Sequence, residues 1–172
     1  MLRESVPFST TRCGNVQTRV LDWTIDPSEW CWNNSNSVAT AVQDHDKQSG
    51  CDQGLLGPPF DLIVTADTVY LTSLVTPLLR TLNHLCKLSQ QNHVVGKSKP
   101  HRPLVYVALE NRDPGLLESF LKEAREQWGF STARVPDRRI ERALERRRMD
   151  WKREDWVGVQ VWKLQFLTLS EK

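Results

Sequence analysis

The chain has 172 residues, of which 39% are hydrophobic and 26% charged, and its formal net charge is +2. That length suits one domain with a core of its own, and so small a net charge argues against nucleic acid or an anionic membrane surface as a partner. No apolar run approaches the roughly 20 residues of a membrane span, and the opening "MLRESVPFSTTRCGN" lacks the apolar centre of a signal peptide.

The first patterned segment is "NVQTRVLDW", Asn15 to Trp23, where Val16, Thr18 and Val20 alternate with polar neighbours. It predicts a short strand ending in the polar-aromatic tip Asp22-Trp23. From Asp26 to Pro59 the chain is rich in loop signals such as "NNSNS", "DHDKQSG" and "GPP". A helix around Ser37 to Val42 is one reading of that stretch, and a long, poorly ordered polar insertion is the preferred one.

In "DLIVTADTVY", Asp61 to Tyr70, an apolar run without alternation predicts a strand covered on both faces, with Asp67 at its exit. Thr76 then suits a helix cap and Pro77 a first turn, ahead of Leu78, Leu79, Leu82, Leu85 and Leu88 at helical spacing. A polar loop is expected from Ser89 to Arg102.

"PLVYVALENR" repeats the pattern: a strand over 104–109 whose tip is Glu110-Asn111-Arg112. Asp113 is a good N-cap and Pro114 a good first-turn residue, with Leu116, Leu117, Phe120, Leu121 and Ala124 as the buried stripe and Gly129 as the stop. "FSTARVP" predicts a short strand. "VGVQVWKLQFL", Val157 to Leu167, predicts the last strand and, following a loop, suits an antiparallel one. Alternating strands and helices imply a largely parallel α/β sheet covered by helices.

In open α/β sheets, ligands bind beyond the carboxyl ends of the strands, and three such ends here carry polar tips. "LDW", "FDLIVTADTVY" and "VYVALENRDP", in that order, resemble the seven-strand methyltransferases that use S-adenosylmethionine. More closely they are similar to the protein-lysine methyltransferase branch related to nicotinamide N-methyltransferase, with its Asp-x-x-Tyr matched by Asp67-Thr68-Val69-Tyr70. The resemblance covers about Asn15 to Leu167, apart from the 26–59 insertion. It implies a protein substrate and S-adenosylmethionine as cofactor. It also implies cofactor contacts from Asp22, Trp23, Thr65 and Ala66, with Trp23 against the adenine and Ala66 letting the backbone approach closely. Asp67 and Tyr70 would face the acceptor amine, and Asn111 and Arg112 would line the acceptor's entrance. Methyl transfer from a sulfonium needs an aligned, neutral nitrogen rather than a metal, and a carboxylate and a phenol can orient that amine.

The family's glycine-rich turn, which cradles the methionine part of the cofactor, has no counterpart in the chain. Gly14, Gly50, Gly54 and Gly57 stand in no strand-to-helix context. The implied fold is therefore the C-terminal part of a Rossmann-like seven-strand sheet of order 3-2-1-4-5-7-6, lacking the first two strands. The strand at Leu62 would then have an open flank. The expectation is an N-terminally incomplete enzyme that binds the cofactor weakly by itself; the alternative is a non-catalytic remnant or interaction module.

Four cysteines (Cys13, Cys31, Cys51, Cys86) and four histidines (His45, His84, His93, His101) show neither CxxC nor ligand spacing. They read as free thiols and ordinary histidines in a metal-free protein of the cytosol, the nucleus or both. The segment "DRRIERALERRRMDWKRED", Asp137 to Asp155, carries eight Arg or Lys and six Asp or Glu. Arg138 with Glu141 and Arg142 with Glu145 stand at (i, i+3) spacing, which predicts a solvated face whose charges satisfy each other. Nucleic acid is not an expected partner; an acidic partner or a ribosome contact is the functional version of this stretch.

Overall fold

The structure is a computed structural model that describes residues 14–41, 54–91 and 102–167. Cys13, Cys51, His45, His93, His101 and Val42 lie outside them. Among the described residues, a two-stranded parallel sheet joins β1 (Val20–Leu21) to β2 (Ser37–Ala39). A separate mixed sheet of four strands has the order β3 (Leu62–Ala66), β4 (Leu104–Glu110), β6 (Val159–Phe166), β5 (Phe130–Arg134). The helices are α1 (Thr72–Gln91), α2 (Pro114–Glu126) and α3 (Asp137–Arg146).

The last strand is the one that makes the sheet mixed. β3 and β4 are parallel, and β6 runs antiparallel between β4 and β5. The two parallel strands need a long crossover between them, which α1 supplies.

The core lies on one face of this sheet. Val105, Val107 and Leu109 of β4 pack with Leu164 of β6 against Val75, Leu78, Leu79, Leu82 and Cys86 of α1. The α2 stripe Leu117, Phe120, Leu121 and Ala124 completes it. Asp113 caps α2, its carboxylate accepting from the Leu116 amide at 3.0 Å. Gly129 takes the chain away from α2 with a φ of 70°, a left-handed value that glycine adopts without penalty.

Three sequence expectations change. β3 is not covered on both faces: Ile63 and Thr65 are half-buried, whereas Leu62, Val64 and Ala66 are exposed. One side of the apolar run meets the core through Ile63, and the other, with Leu62 and Val64, stays open. Secondly, α1 begins at Thr72, so Pro77 lies inside it rather than in its first turn. Only the bond to the carbonyl of Ser73 is forfeited, and Leu78, Leu79 and Leu82 are so deeply packed that the helix persists.

Thirdly, the strand expected over 15–23 shrinks to Val20–Leu21, and Ser37–Ala39 is strand rather than helix. The described part of the 26–59 stretch is folded, with a 3-10 turn at Pro27–Glu29 and with Val38 and Ala39 buried. Side chains far apart in sequence hold it. Arg19 donates to the carbonyls of Trp32 (2.9 Å) and Leu56 and lies 5.4 Å from the Trp32 ring centre. Gln17 bonds the Gly54 carbonyl at 2.8 Å and the Leu56 amide at 2.7 Å.

From α1, Arg80 clasps the same segment. Its Nη2 donates to the carbonyls of Trp23, Thr24 and Ile25 at 3.4, 2.9 and 3.2 Å, and its Nη1 pairs with Asp26 at 3.3 Å. The Trp30 ring meets His84 of α1 edge-on, with centres 5.1 Å apart.

Candidate functional site

β3 and β4 run parallel in register, Ala66 beside Ala108, so their carboxyl ends reach the same edge of the sheet. Asp67 is the first residue beyond β3. Its amide donates to the Ala108 carbonyl at 2.9 Å, which continues the ladder by one bond. Its backbone then turns into the left-handed region, with a φ of 53°. A non-glycine residue there is strained, and such strain gathers where a side chain must be aimed. The Asp67 side chain is exposed, and so is Tyr70 at 57%.

Thr65 and Thr68 close the turn from within through a 2.7 Å hydroxyl pair. Ala66, between them, is exposed and presents only a methyl group.

The tip of β4 lies alongside. Glu110 and Arg112 form an ion pair in which the guanidinium Nε donates at 2.8 Å. The hydrogen bond to Glu110 and its charge hold the Arg112 guanidinium above its ordinary pKa, and the negative charge of Asp67 adds to the shift. Asn111 is tied to the turn before β6 by its amide, 3.0 Å from the Gly158 carbonyl. Its side-chain Oδ1 is buried with no hydrogen-bond partner among the described residues.

Asp22 and Trp23 directly follow β1. Asp22 accepts from the Thr24 hydroxyl at 2.7 Å and the Thr24 amide at 2.9 Å, and these bonds pull its pKa below the usual carboxylate value. The Trp23 ring is half-buried against the main core, and its carbonyl is in the grasp of Arg80. The sheet thus brings together Thr65, Ala66, Asp67, Asn111 and Arg112, with Tyr70 three residues on; Asp22 and Trp23 follow β1, with the Trp23 ring against the main core.

Glu110 was not singled out in the sequence as a site residue. Its signal was the Glu-x-Arg spacing at a strand tip, which lets the two side chains meet on one side.

Residues 33–112 match a family model described as lysine methyltransferase. The matched span runs from just before β2 to Arg112 and contains both polar strand ends. It includes Thr65, Ala66, Asp67, Tyr70, Asn111 and Arg112, and it leaves out Asp22 and Trp23. It also takes in most of the stretch read from sequence as an insertion. No curated protein matches the chain. The mixed sheet with helices packed on it is consistent with a methyltransferase-like fold, and the lysine methyltransferase match supports a methyltransferase function.

Lysine methyltransferases of this kind use S-adenosylmethionine, and the residues present fit that group in part. Ala66, the exposed last residue of β3, presents only a methyl group and would not obstruct a ligand lying along the backbone. The Asp22 carboxylate is already engaged by Thr24, and the described glycines with positive φ (Gly54, Gly129, Gly158) lie in no strand-to-helix turn that would cradle a carboxylate.

Proposed function

We propose that this chain carries the acceptor side of an S-adenosylmethionine-dependent methyltransferase that modifies a lysine of a protein substrate. The observation that carries this reading is Asp67. It combines an exposed carboxylate, a left-handed backbone and a place at the shared carboxyl end of two parallel strands, within a span that matches lysine methyltransferases. The strand order β3-β4-β6-β5, with β6 antiparallel, supports it. It is the order that the resemblance implies for the fourth, fifth, seventh and sixth strands.

In this reading Asp67 accepts a hydrogen bond from the incoming lysine nitrogen, and Tyr70 stands on its other side. Arg112, held by Glu110, keeps positive charge at the entrance, which disfavours a second ammonium and promotes release of the lysine proton to solvent. S-adenosylmethionine supplies the methyl group when bound, and the protein's task is alignment.

Incubating the chain with methyl-labelled S-adenosylmethionine and a cell extract, then mapping methylated lysines by mass spectrometry, tests the proposal. Asp67→Ala is expected to abolish labelling and to leave cofactor affinity unchanged; labelling at the wild-type rate would remove Asp67 from the acceptor site. A second reading, a non-catalytic interaction module, is favoured by one observation: Asp22 and Trp23 are committed to local and core contacts. Calorimetry with S-adenosylmethionine separates the two, since the module binds none.

A further inference from the structure

The charged helix α3 does not neutralise itself as its spacing suggests. Its half-buried side carries Asp137, Ile140, Glu141 and Leu144, at positions i, i+3, i+4 and i+7. Both acids on that side are engaged by arginines from outside the helix: Asp137 by Arg134 of β5 at 3.0 Å, and Glu141 by Arg153 at 2.8 Å. The exposed side and the turn after it carry Arg138, Arg139, Arg142, Arg146, Arg147 and Arg148, against Glu145 as the one acid. None of these six guanidinium groups has a partner among the described residues. The framework consumes the acids and leaves a strongly positive face.

That face stands at the same edge of the sheet as the candidate site. β5 is antiparallel to β6, so its carboxyl end at Arg134 points the same way as those of β3 and β4, and α3 starts three residues later. Asp137 and Arg134 share a recess with Gly158, whose carbonyl holds the Asn111 amide.

We propose that the outer face of α3 docks an acidic polypeptide segment that flanks the lysine presented to Asp67, which rests on the methyltransferase reading above. The geometry suits an extended chain. Arg138, Arg142 and Arg146 form a row with a rise of about 6 Å per step, and alternate side chains of an extended strand are spaced about 6.6 Å apart. The signs suit it as well. The edge that carries the arginine face also carries the exposed carboxylate of Asp67, so a cation set among acids is complementary to both. A phosphate polymer has no cation for Asp67, and for this reason RNA fits less well.

The test is equilibrium binding of a synthetic 15-residue peptide of alternating Glu and Ser with a central Lys, measured in low and moderate salt. Binding is expected to weaken as salt rises. Replacing Arg138, Arg142 and Arg146 together by Gln should weaken it roughly tenfold, as three exposed charge pairs would. Glu145→Gln should strengthen it, and this variant guards against a triple variant that merely misfolds. Loss of salt dependence, indifference to both variants, or tighter binding of a uridine homopolymer of equal charge would each overturn the proposal. Asp67→Ala should lose the contact to the central Lys while keeping the salt dependence and the response to the α3 variants. Peptide binding without methyl transfer therefore leaves the docking face standing and removes the catalytic reading.

Discussion

Asp67 has a φ of 53°, and for most L-residues that conformation costs about 1 kcal/mol or more. Aspartate bears it better than a β-branched residue, yet glycine bears it without strain. Asp67→Gly is therefore expected to raise stability by about 1 kcal/mol while removing the carboxylate from the site, and chemical denaturation together with the methylation assay checks both halves. If the variant is less stable than the wild type, Asp67 holds the turn rather than aiming at a ligand. Cys86 shows the opposite kind of residue, one that is buried and inert. Burial alone pushes its thiol up to about 12, so at pH 8 roughly one in ten thousand is thiolate. Iodoacetamide should label exposed Cys31 in the native protein and leave Cys86 untouched until unfolding, as mass spectrometry would show.

At the scale of elements, β3 is the informative one. Its odd-numbered neighbours direct their backbone groups to β4: the Asp61 carbonyl accepts from Leu104 and the Asp67 amide donates to Ala108. Leu62, Val64 and Ala66 thus point their backbone groups toward the flank where the sheet has no further strand among the described residues. Leu62 and Val64 also expose 54% and 64% of their surface. An apolar strand with a free edge invites association with other chains. Val64→Lys is expected to shift stability by no more than about 0.5 kcal/mol and to reduce self-association, read by sedimentation over a range of concentrations; unchanged association would place the sticky surface elsewhere.

This strand also shows how far the sequence could be read. "LIVTA" announces a strand and Asp67 announces its end, because β-branched residues and a turn-forming acid are local signals. Whether one face or two are covered depends on partners outside the segment, and no local pattern carries that. The α2 cap at Asp113 and its apolar stripe were legible for the same local reason. Arg80's grip on residues 23–26 was not, since the segments it joins lie more than 50 positions apart. Nor was the inward turn of Asp137 and Glu141, where arginines from β5 and the turn before β6 outcompeted the helix's own.

For the molecule as a whole, the joint between the small sheet and α1 is the pH-sensitive part. His84 sits there with its pKa lowered, chiefly by desolvation and further by the charge of Lys87, against a smaller opposing effect of Asp26. A histidine with a lower pKa folded than unfolded binds fewer protons in the native state. Stability is therefore full above the unfolded value near 6.5 and declines as the pH falls below it. Thermal unfolding at pH 7.5 and 5.5 should show this decline, and His84→Gln should shrink it; an equal decline in the variant would assign the titration to another group.

The position of β6 in the sheet has a consequence for synthesis. β5 pairs with β6 and with no other described strand, yet β6 is the last of the described strands to leave the ribosome. While the chain is being made, β3, β4, α1 and α2 have partners, but residues 130–134 wait with bare hydrogen-bonding groups for some 25 positions of further translation. The arginine-rich helix emerges within that interval. Its like charges would repel those of a neighbouring nascent chain while residues 130–134 are still unpaired.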